Sequence, residues 1–199
     1  MVINYGLDLE RFVNLPSADW QEPLRFLMVG RLVRQKSQIT ALQALNNLKD
    51  YPWHLTIVGE GIEKNNLQAF VQKNNLQDRI EFVEPLTGVE QYYLQADVFL
   101  MPSLWEGLGI VVMEAMSSGR LVLASDTTGL KEIVQDKKTG YLAQSENISD
   151  WEEKIKYIFE NKTEGKNLAK NAQKYAKENF GVDRMVKKYD ELYSLVASK

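Results

Sequence analysis

Short apolar runs alternate with amphipathic stretches along most of the chain. The first run, LRFLMVG from Leu24 to Gly30, is typical of a strand that is buried on both faces. The next stretch carries apolar residues at helical spacing, and the cycle repeats to about residue 145. Strands are predicted in LRFLMVG, WHLTIVG, RIEFVEP, DVFLMPS, LVLAS and TGYLA. This alternation predicts an α/β fold with a doubly wound parallel sheet and right-handed crossovers.

The pattern changes at both ends of the chain. Residues 1–23 form a lead-in, in which VINYGLDLERF predicts a short strand and turn and NLPSADWQEP predicts a loop. After Ser145 the strand pattern stops and three helices are predicted, the first opened by a capping box at Ser149. We therefore expect a linker over 1–23, a ligand-binding domain over 24–145 and bracing helices over 146–199.

Composition and charge narrow the class of protein. The formal net charge of −3 argues against a nucleic-acid binder, which usually carries a strong basic excess. The absence of cysteine excludes disulfides and thiolate metal sites and fits a reducing compartment. There is no apolar run of 18 residues and no signal-peptide pattern, so we expect a cytoplasmic location, with peripheral membrane association open for a longer protein.

Candidate chemistry begins directly after the first predicted strand, in VGRLVRQKS. Arg31 follows Gly30 at the strand end, and Lys36 lies near the start of the next helix. Two cations beside a helix N-terminus predict an anion site, because helix amides also favour negative charge. The alternative is a solvated basic loop, which is the interpretation we give to Arg34.

A second candidate site lies in PSLWEGLGIVVMEAMSSG, residues 102–119. Gly107 and Gly109 allow a close backbone approach, and the amides from Leu108 to Ile110 are expected to point at an anion. Glu106 at the helix mouth is suited to accept hydrogen bonds from sugar hydroxyls. Glu114, about two turns later, is suited to a vicinal diol. The alternative is two glutamates at chance spacing.

A structural interpretation is favoured for the loop GEGIEK and for several aromatic residues, whereas the loop SDTTGLKEIV has a structural and a functional interpretation of equal weight. The loop GEGIEK lacks the third glycine of a dinucleotide-binding fingerprint, which disfavours a dehydrogenase. The loop SDTTGLKEIV is expected either to border the same cleft as the two candidate sites or only to cap a helix. His54, the single histidine, is expected to be buried or packed at an edge. Trp53, Trp105 and Trp151 are expected to pack, with Trp105 also placed to shape a sugar pocket. No Asp-x-Asp pair is present, so no metal is expected.

Together these motifs resemble the C-terminal, donor-binding domain of retaining glycosyltransferases with the GT-B architecture, of the family-four or group 1 type. The resemblance covers nearly the whole chain and implies a Rossmann-like domain with a helical C-terminal tail. It is carried by VINYGLDLERF, VGRLVRQKS, PSLWEGLGIVVMEAMSSG and SDTTGLKEIVQDKKTGYLA. Ser37 and Leu108 depart from the family pattern, which usually has Gly and Phe at these positions.

The resemblance also implies roles for the candidate residues. Arg31 and Lys36 would hold the donor diphosphate, Glu106 would bind hydroxyls of the transferred sugar, and Glu114 would bind the ribose. The nucleotide base would lie against backbone between Val83 and Leu86. A UDP-sugar is the favoured donor and GDP-mannose the second, with a saccharide or lipid-linked acceptor and no metal.

The family architecture further implies that an N-terminal domain, which supplies the acceptor site, is missing from this chain. We therefore expect weak nucleotide-sugar binding and no turnover by the chain alone. Two alternatives stay open at this point. One is a non-catalytic nucleotide- or carbohydrate-binding module, and the other is a GT-B-like sugar-nucleotide epimerase, against which the single histidine counts.

Overall fold

The computed structural model describes residues 5–84 and 88–197. Its strands are β1 (Leu24–Val29), β2 (Trp53–Val58), β3 (Ile80–Val83), β4 (Val98–Met101), β5 (Leu121–Ser125) and β6 (Tyr141–Ala143). Its helices are α1 (Glu10–Val13), α2 (Gln38–Asn47), α3 (Lys64–Lys73), α4 (Glu90–Gln95), α5 (Ile110–Ser117), α6 (Leu130–Ile133), α7 (Ile148–Glu160), α8 (Lys162–Asn179) and α9 (Val182–Ala197). A short 3-10 turn, Arg34–Lys36, precedes α2.

The strands form one parallel sheet in the order β3-β2-β1-β4-β5-β6. The predicted doubly wound α/β fold with a Rossmann-like sheet and a helical C-terminal part is confirmed. The strand order reverses between β1 and β4, so the loops that leave these two strands turn in opposite directions. This divergence opens a crevice at the carboxyl ends of the strands, where open α/β sheets bind their ligands.

The core lies on both faces of the sheet. One hydrophobic cluster covers each face, and the side chains of β1 alternate between the two faces. Phe26 and Met28 belong to the first cluster, and Leu27 belongs to the second. Helices α2, α3 and α7 cover the first face, while α4, α5, α6 and part of α8 cover the second. Trp53 and Trp151 are almost fully buried, as predicted for packing groups. Burial on both faces explains why the strands are continuous apolar runs.

The lead-in differs from its prediction. Instead of a short strand and turn, its described part contains α1 and an isolated bridge between Leu7 and Gly181. Leu9 and Phe12 are three residues apart, so one helical turn places both on the same side, where both are buried. The amide of Leu7 donates to the carbonyl of Phe180 (2.7 Å) at the end of α8, and the amide of Val182 at the start of α9 donates to the carbonyl of Leu7 (3.0 Å).

A buried carboxylate fastens the lead-in to the sheet. Asp97 has no exposed surface and accepts hydrogen bonds from the amides of Trp20 (3.2 Å) and Arg25 (2.9 Å). The Arg25 guanidinium also donates to it through Nε (3.0 Å) and Nη2 (2.8 Å), and this hydrogen bonding raises the pKa of Arg25. A buried charge is tolerated here because it is paired and fully hydrogen-bonded. The division at residue 23 stays a prediction.

The three C-terminal helices are present, with one correction at the start of α7. The side chain of Asn147, not of Ser149, caps this helix by accepting from the amide of Asp150 (3.2 Å). Asn is as strong an N-cap as Ser, so the capping-box pattern placed the boundary two residues late. Helix α8 packs on α5 and β5, whereas α9 buries none of its residues. In the described ranges, no helix is long and apolar enough to cross a lipid bilayer.

Candidate functional site

Two loops meet at the crevice between β1 and β4. Residues 30–37 follow β1, and residues 102–109 follow β4. The amide of Leu104 donates to the carbonyl of Gln35 (2.8 Å), and Gln35 Nε2 donates to the carbonyl of Trp105 (2.9 Å). These two bonds fix the second loop against the first. The motifs predicted to bind phosphate and sugar therefore lie side by side.

Lys36 and Glu106 form an ion pair at this junction. Lys36 Nζ donates to Glu106 Oε1 at 2.5 Å, and the side chains are only 15% and 8% exposed. The stem of Lys36 crosses Gly30, with its Cε 3.6 Å from where a Cβ would lie at that glycine. The pair explains how the Glu106 carboxylate is accommodated with so little exposure, since each charge has the other as its partner. Both residues were predicted to belong to the site, but this contact was not predicted.

Arg31 lies on the same loop but is not drawn into the pair. Its side chain is exposed, and in the described ranges no carboxylate forms an ion pair with it. Its backbone is fixed, because Gln38 Nε2 donates to the Arg31 carbonyl (3.0 Å). The guanidinium is thus available to a ligand at the mouth of the crevice.

The start of α5 adds backbone donors beside Glu106. Gly109 is the N-cap in the left-handed region (φ 57°), and no side-chain cap is made there. The first turn of a helix has N–H groups without intrahelical acceptors, so the amides of Gly109 and Ile110 point toward the loop end of the helix, while Gly107 and Leu108 lie in the loop before it. A Cβ at Gly109 would approach the side chain of Ile133 to 3.1 Å, which explains the requirement for glycine.

Glu114 is held by a buried tyrosine. The Tyr93 hydroxyl, on α4, donates to Glu114 Oε2 at 2.8 Å and lies 3.1 Å from the carbonyl of Val111. Burial raises the pKa of Glu114, while the hydrogen bond from Tyr93 and the charge of Arg11 lower it. Burial also raises the pKa of Tyr93 well above its ordinary value, which keeps the hydroxyl a donor. Tyr93 was not predicted to belong to the site, since it lies on a different helix, 21 residues before Glu114.

The two further glycine-containing loops, GEGIEK and SDTTGLKEIV, lie against the site loops. A Cβ at Gly59 would lie 1.9 Å from the carbonyl oxygen of Gly30, so the loop after β2 supports the loop after β1. A Cβ at Gly129 would lie 2.3 Å from the carbonyl oxygen of Glu106. The loop after β5 therefore borders the same crevice, as one of the two interpretations of SDTTGLKEIV proposed.

Other polar groups lie at the same edge of the sheet. The hydroxyls of Ser103 and Ser125 are buried and, among the described residues, have no hydrogen-bond partner. Both residues lie at or just after the carboxyl end of a strand, so they add unused hydrogen-bonding groups near the crevice. Val83 ends β3, and its carbonyl accepts from the amide of Gly59 (3.0 Å). Leu86, the other residue predicted to flank the base, lies outside the described residues.

Two expectations about aromatic side chains are wrong in part. His54 lies in β2 as predicted, but it is exposed near the amino end of the strand, on the opposite edge from the crevice. Trp105 does not pack into the core and is 57% exposed, because its backbone is fixed to Gln35 while its ring extends from the loop. His54 is therefore too far along the strand to belong to the candidate site, whereas Trp105 lies in one of the site loops.

Comparison with known proteins gives a consistent family assignment. The model of the family described as "Glycosyl transferases group 1" matches residues 16–178. The amylovoran biosynthesis glycosyltransferase AmsK of Erwinia amylovora is 33% identical over 71% of this chain and 37% of its own length. The Escherichia coli UDP-Gal:alpha-D-GlcNAc-diphosphoundecaprenol alpha-1,3-galactosyltransferase is 28% identical over 96% of this chain and 53% of its own length.

A solved structure agrees with the sequence relatives. Sucrose-phosphate synthase from Thermosynechococcus elongatus superposes with a TM-score of 0.86 at 28% identity, covering 100% of this chain and 53% of that one. The fold is that of a GT-B C-terminal domain. The chain spans about half the length, or less, of the relatives it matches.

Proposed function

Since the chain belongs to the glycosyl transferases group 1 family, we propose that it is the donor-binding domain of a retaining glycosyltransferase. The transferred group is a hexosyl unit, and the donor is a nucleotide diphosphate sugar. The observation that carries the proposal is the Lys36–Glu106 pair at the strand switch point, between the loops after β1 and β4. Lys36, a cation suited to phosphate, and Glu106, a carboxylate suited to sugar hydroxyls, are directly hydrogen-bonded to each other.

Binding would rearrange the charges of this pair. A diphosphate carries more negative charge than one carboxylate, so Lys36 would turn from Glu106 toward the phosphate oxygens while keeping a donor for the carboxylate. Arg31 supplies a second cation that is free of ion pairs in the described ranges. The amides at the start of α5 complete the anion site. In the reaction, these groups stabilise the charge that develops on the departing diphosphate.

The carboxylates would orient the two sugars of the donor. Glu106, relieved of part of its bond to Lys36, accepts hydrogen bonds from hydroxyls of the transferred hexose. Glu114 accepts from the ribose hydroxyls, held in place by Tyr93. The base would lie against the chain near Val83 and the segment up to Leu86. Of the two candidate donors, UDP-sugar is favoured over GDP-mannose because the E. coli galactosyltransferase described above is named for UDP-Gal.

Transfer also needs an acceptor site, which we propose lies on a second, preceding domain of the longer protein. The support for this is the half-length match to relatives and the surface of α9. This helix has its apolar residues at helical spacing, and Val186, Tyr189 and Tyr193 are 49%, 41% and 65% exposed. Such a face fits packing against another domain. The acceptor would be a saccharide or a lipid-linked saccharide, and the chain alone would bind donor weakly without turnover.

Calorimetric titration with UDP, GDP and ADP tests the proposal. We expect one nucleotide to bind preferentially. Arg31→Ala and Glu114→Ala should each lower the affinity for that nucleotide at least tenfold, because a hydrogen bond to a charged group contributes about 1.5–3 kcal/mol. Arg34→Ala is the matched control, because it removes the same charge from an exposed position of the same loop. The absence of binding at millimolar nucleotide, or equal losses in Arg31→Ala and Arg34→Ala, would contradict the proposed site.

A further inference from the structure

A row of lysines follows one side of α8. The spacing is four, four, four and three residues, which keeps the side chains on one side of a helix. The opposite side is apolar and packs into the core through Leu168, Ala172 and Ala176. The row, called the lysine face below, consists of Lys162, Lys166, Lys170, Lys174 and Lys177.

Four of these lysines carry uncompensated charge. Lys162 pairs with Glu22 at 2.8 Å, but Lys166, Lys170, Lys174 and Lys177 are exposed and have no ion-pair partner in the described ranges. From Lys166 to Lys177 the helix rises by about 16 Å. Of the two acidic residues on α8, Glu164 accepts from Tyr141 and Tyr157 on another side of the helix, and Glu178, next to Lys177, is exposed and forms no ion pair in the described ranges. Positive charge is thus concentrated on one face of a chain whose net charge is −3.

A cavity of about 220 Å³ opens beside the first half of the lysine face. Among the described residues, no acidic side chain lines it. Its lining consists of Ser17, Ala18, Trp20, Gly119, Lys166, Ala169, Lys170 and Gln173. Arg120 follows Gly119 in the chain but does not line the cavity; it is fully buried and donates through Nη2 to the carbonyl of Pro16 (2.7 Å).

The buried arginine keeps its charge beside two carboxylates. Burial lowers the pKa of Arg120 to about 10, while the charges of Asp97 and Asp19 raise it, so the guanidinium is protonated at neutral pH. Its Nε and Nη1 atoms have no hydrogen-bond partner in the part of the chain that the structure describes. A phosphate group at the cavity would meet Lys166 and Lys170 directly.

We propose that the lysine face docks on a bilayer that contains anionic phospholipid, with one phosphate headgroup at the cavity. A straight row of four cations over about 16 Å exceeds the reach of a single small anion and fits a flat, repeating surface. The net charge of −3 opposes any anionic partner, so binding to the bilayer would depend on the lysine face alone. The proposal depends on charge and cavity shape and is independent of the proposed donor site.

Sedimentation of the 199-residue chain with vesicles tests the proposal. Vesicles of phosphatidylglycerol and phosphatidylcholine are compared with vesicles of phosphatidylcholine alone, at low and high sodium chloride. The test variant replaces Lys166, Lys170, Lys174 and Lys177 by Gln. The control variant replaces four lysines on other surfaces, Lys49, Lys73, Lys156 and Lys187, by Gln, and it has the same net charge.

We expect the native chain to bind only the anionic vesicles and to dissociate at 0.5 M salt, a condition that screens surface charge. Each lysine near such a surface raises the vesicle partition coefficient about fivefold. The partition coefficient of the test variant should therefore be at least about a hundredfold lower than that of the native chain. The control variant should keep most of the binding. The proposal is overturned if the native chain binds both vesicle types equally or neither, or if both variants lose binding equally. Nucleotide titration of the test variant should match the native chain.

Discussion

Gly129 is the position at which one added methyl group should disturb the candidate site most directly. Its φ is +90°, and a Cβ built there lies 2.3 Å from the carbonyl oxygen of Glu106 and 3.2 Å from that of Gly107. Because Cβ contacts below 3.0 Å essentially do not occur, Gly129→Ala must move the two loops apart by about 0.7 Å. The loop that moves is the one that places Glu106 against Lys36.

The cost of Gly129→Ala has two parts. A residue with a Cβ in this sparsely populated backbone region loses roughly 1–3 kcal/mol. Overpacking adds about 1–3 kcal/mol. The expected loss of about 2–6 kcal/mol lowers Tm by roughly 2–4 °C for each kcal/mol in a chain of this size. Nucleotide-sugar affinity should fall about tenfold, because one charge-assisted hydrogen bond is worth about 1.5–3 kcal/mol.

Thermal unfolding and calorimetric titration together test this prediction, with two glycine controls. At Gly140 a Cβ would lie 2.6 Å from the carbonyl oxygen of Val122, so Gly140→Ala should destabilise the chain without touching Glu106. At Gly181 the nearest atom is 3.9 Å away, so Gly181→Ala should be neutral. The reasoning is refuted if Gly129→Ala is as stable as the native chain. It is also refuted if Gly140→Ala remains folded and loses as much nucleotide-sugar affinity as Gly129→Ala.

Two further predictions concern buried carboxylates. Asp97→Asn should lower the free energy of unfolding, measured in urea, by about 3 kcal/mol, the lower end for breaking a buried pair, because the Arg25 side chain is 35% exposed. The control Asp126→Asn, in an exposed pair, should lower it by less than about 1 kcal/mol. Equal losses in the two variants would contradict this prediction. Nucleotide affinity should fall as pH is lowered through the raised pKa of Glu114, since only the carboxylate accepts two ribose hydroxyls. Tyr93→Phe removes a hydrogen bond that lowers this pKa, so the midpoint should move to higher pH, and a midpoint that stays or falls would count against the ribose role.

The sheet was predictable because its central strands β1, β4 and β5 are buried on both faces and are followed by a glycine or polar loop. Continuous apolar runs such as LRFLMVG have few other ways to be buried in a chain of this length. The lead-in was not predictable in the same way. Leu7 and Leu9 alternate as in a strand, whereas Leu9 and Phe12 have helical spacing, so the short stretch is ambiguous until Leu9 and Phe12 pack into the core.

The candidate site was predicted as residue types at strand ends, and its contacts were not. The rule that ligands collect at the carboxyl ends of strands placed Lys36 and Glu106 near each other. Their ion pair depends on the path of the Lys36 side chain over Gly30, which spacing does not encode. Tyr93 could not be assigned to Glu114 because α4 approaches α5 only in the folded chain.

The central claim is that Lys36 binds the diphosphate and that Glu106 binds the transferred sugar. Titration with UDP and with UDP-glucose separates the two roles, because only the second ligand carries the hexose. Lys36→Met should weaken both ligands at least tenfold.

Glu106→Gln should weaken UDP-glucose while leaving UDP unchanged or tighter, because Lys36 is released from its partner. If Glu106→Gln weakens both ligands equally, or if Lys36→Met affects neither, the pair is a structural salt bridge and the donor binds elsewhere.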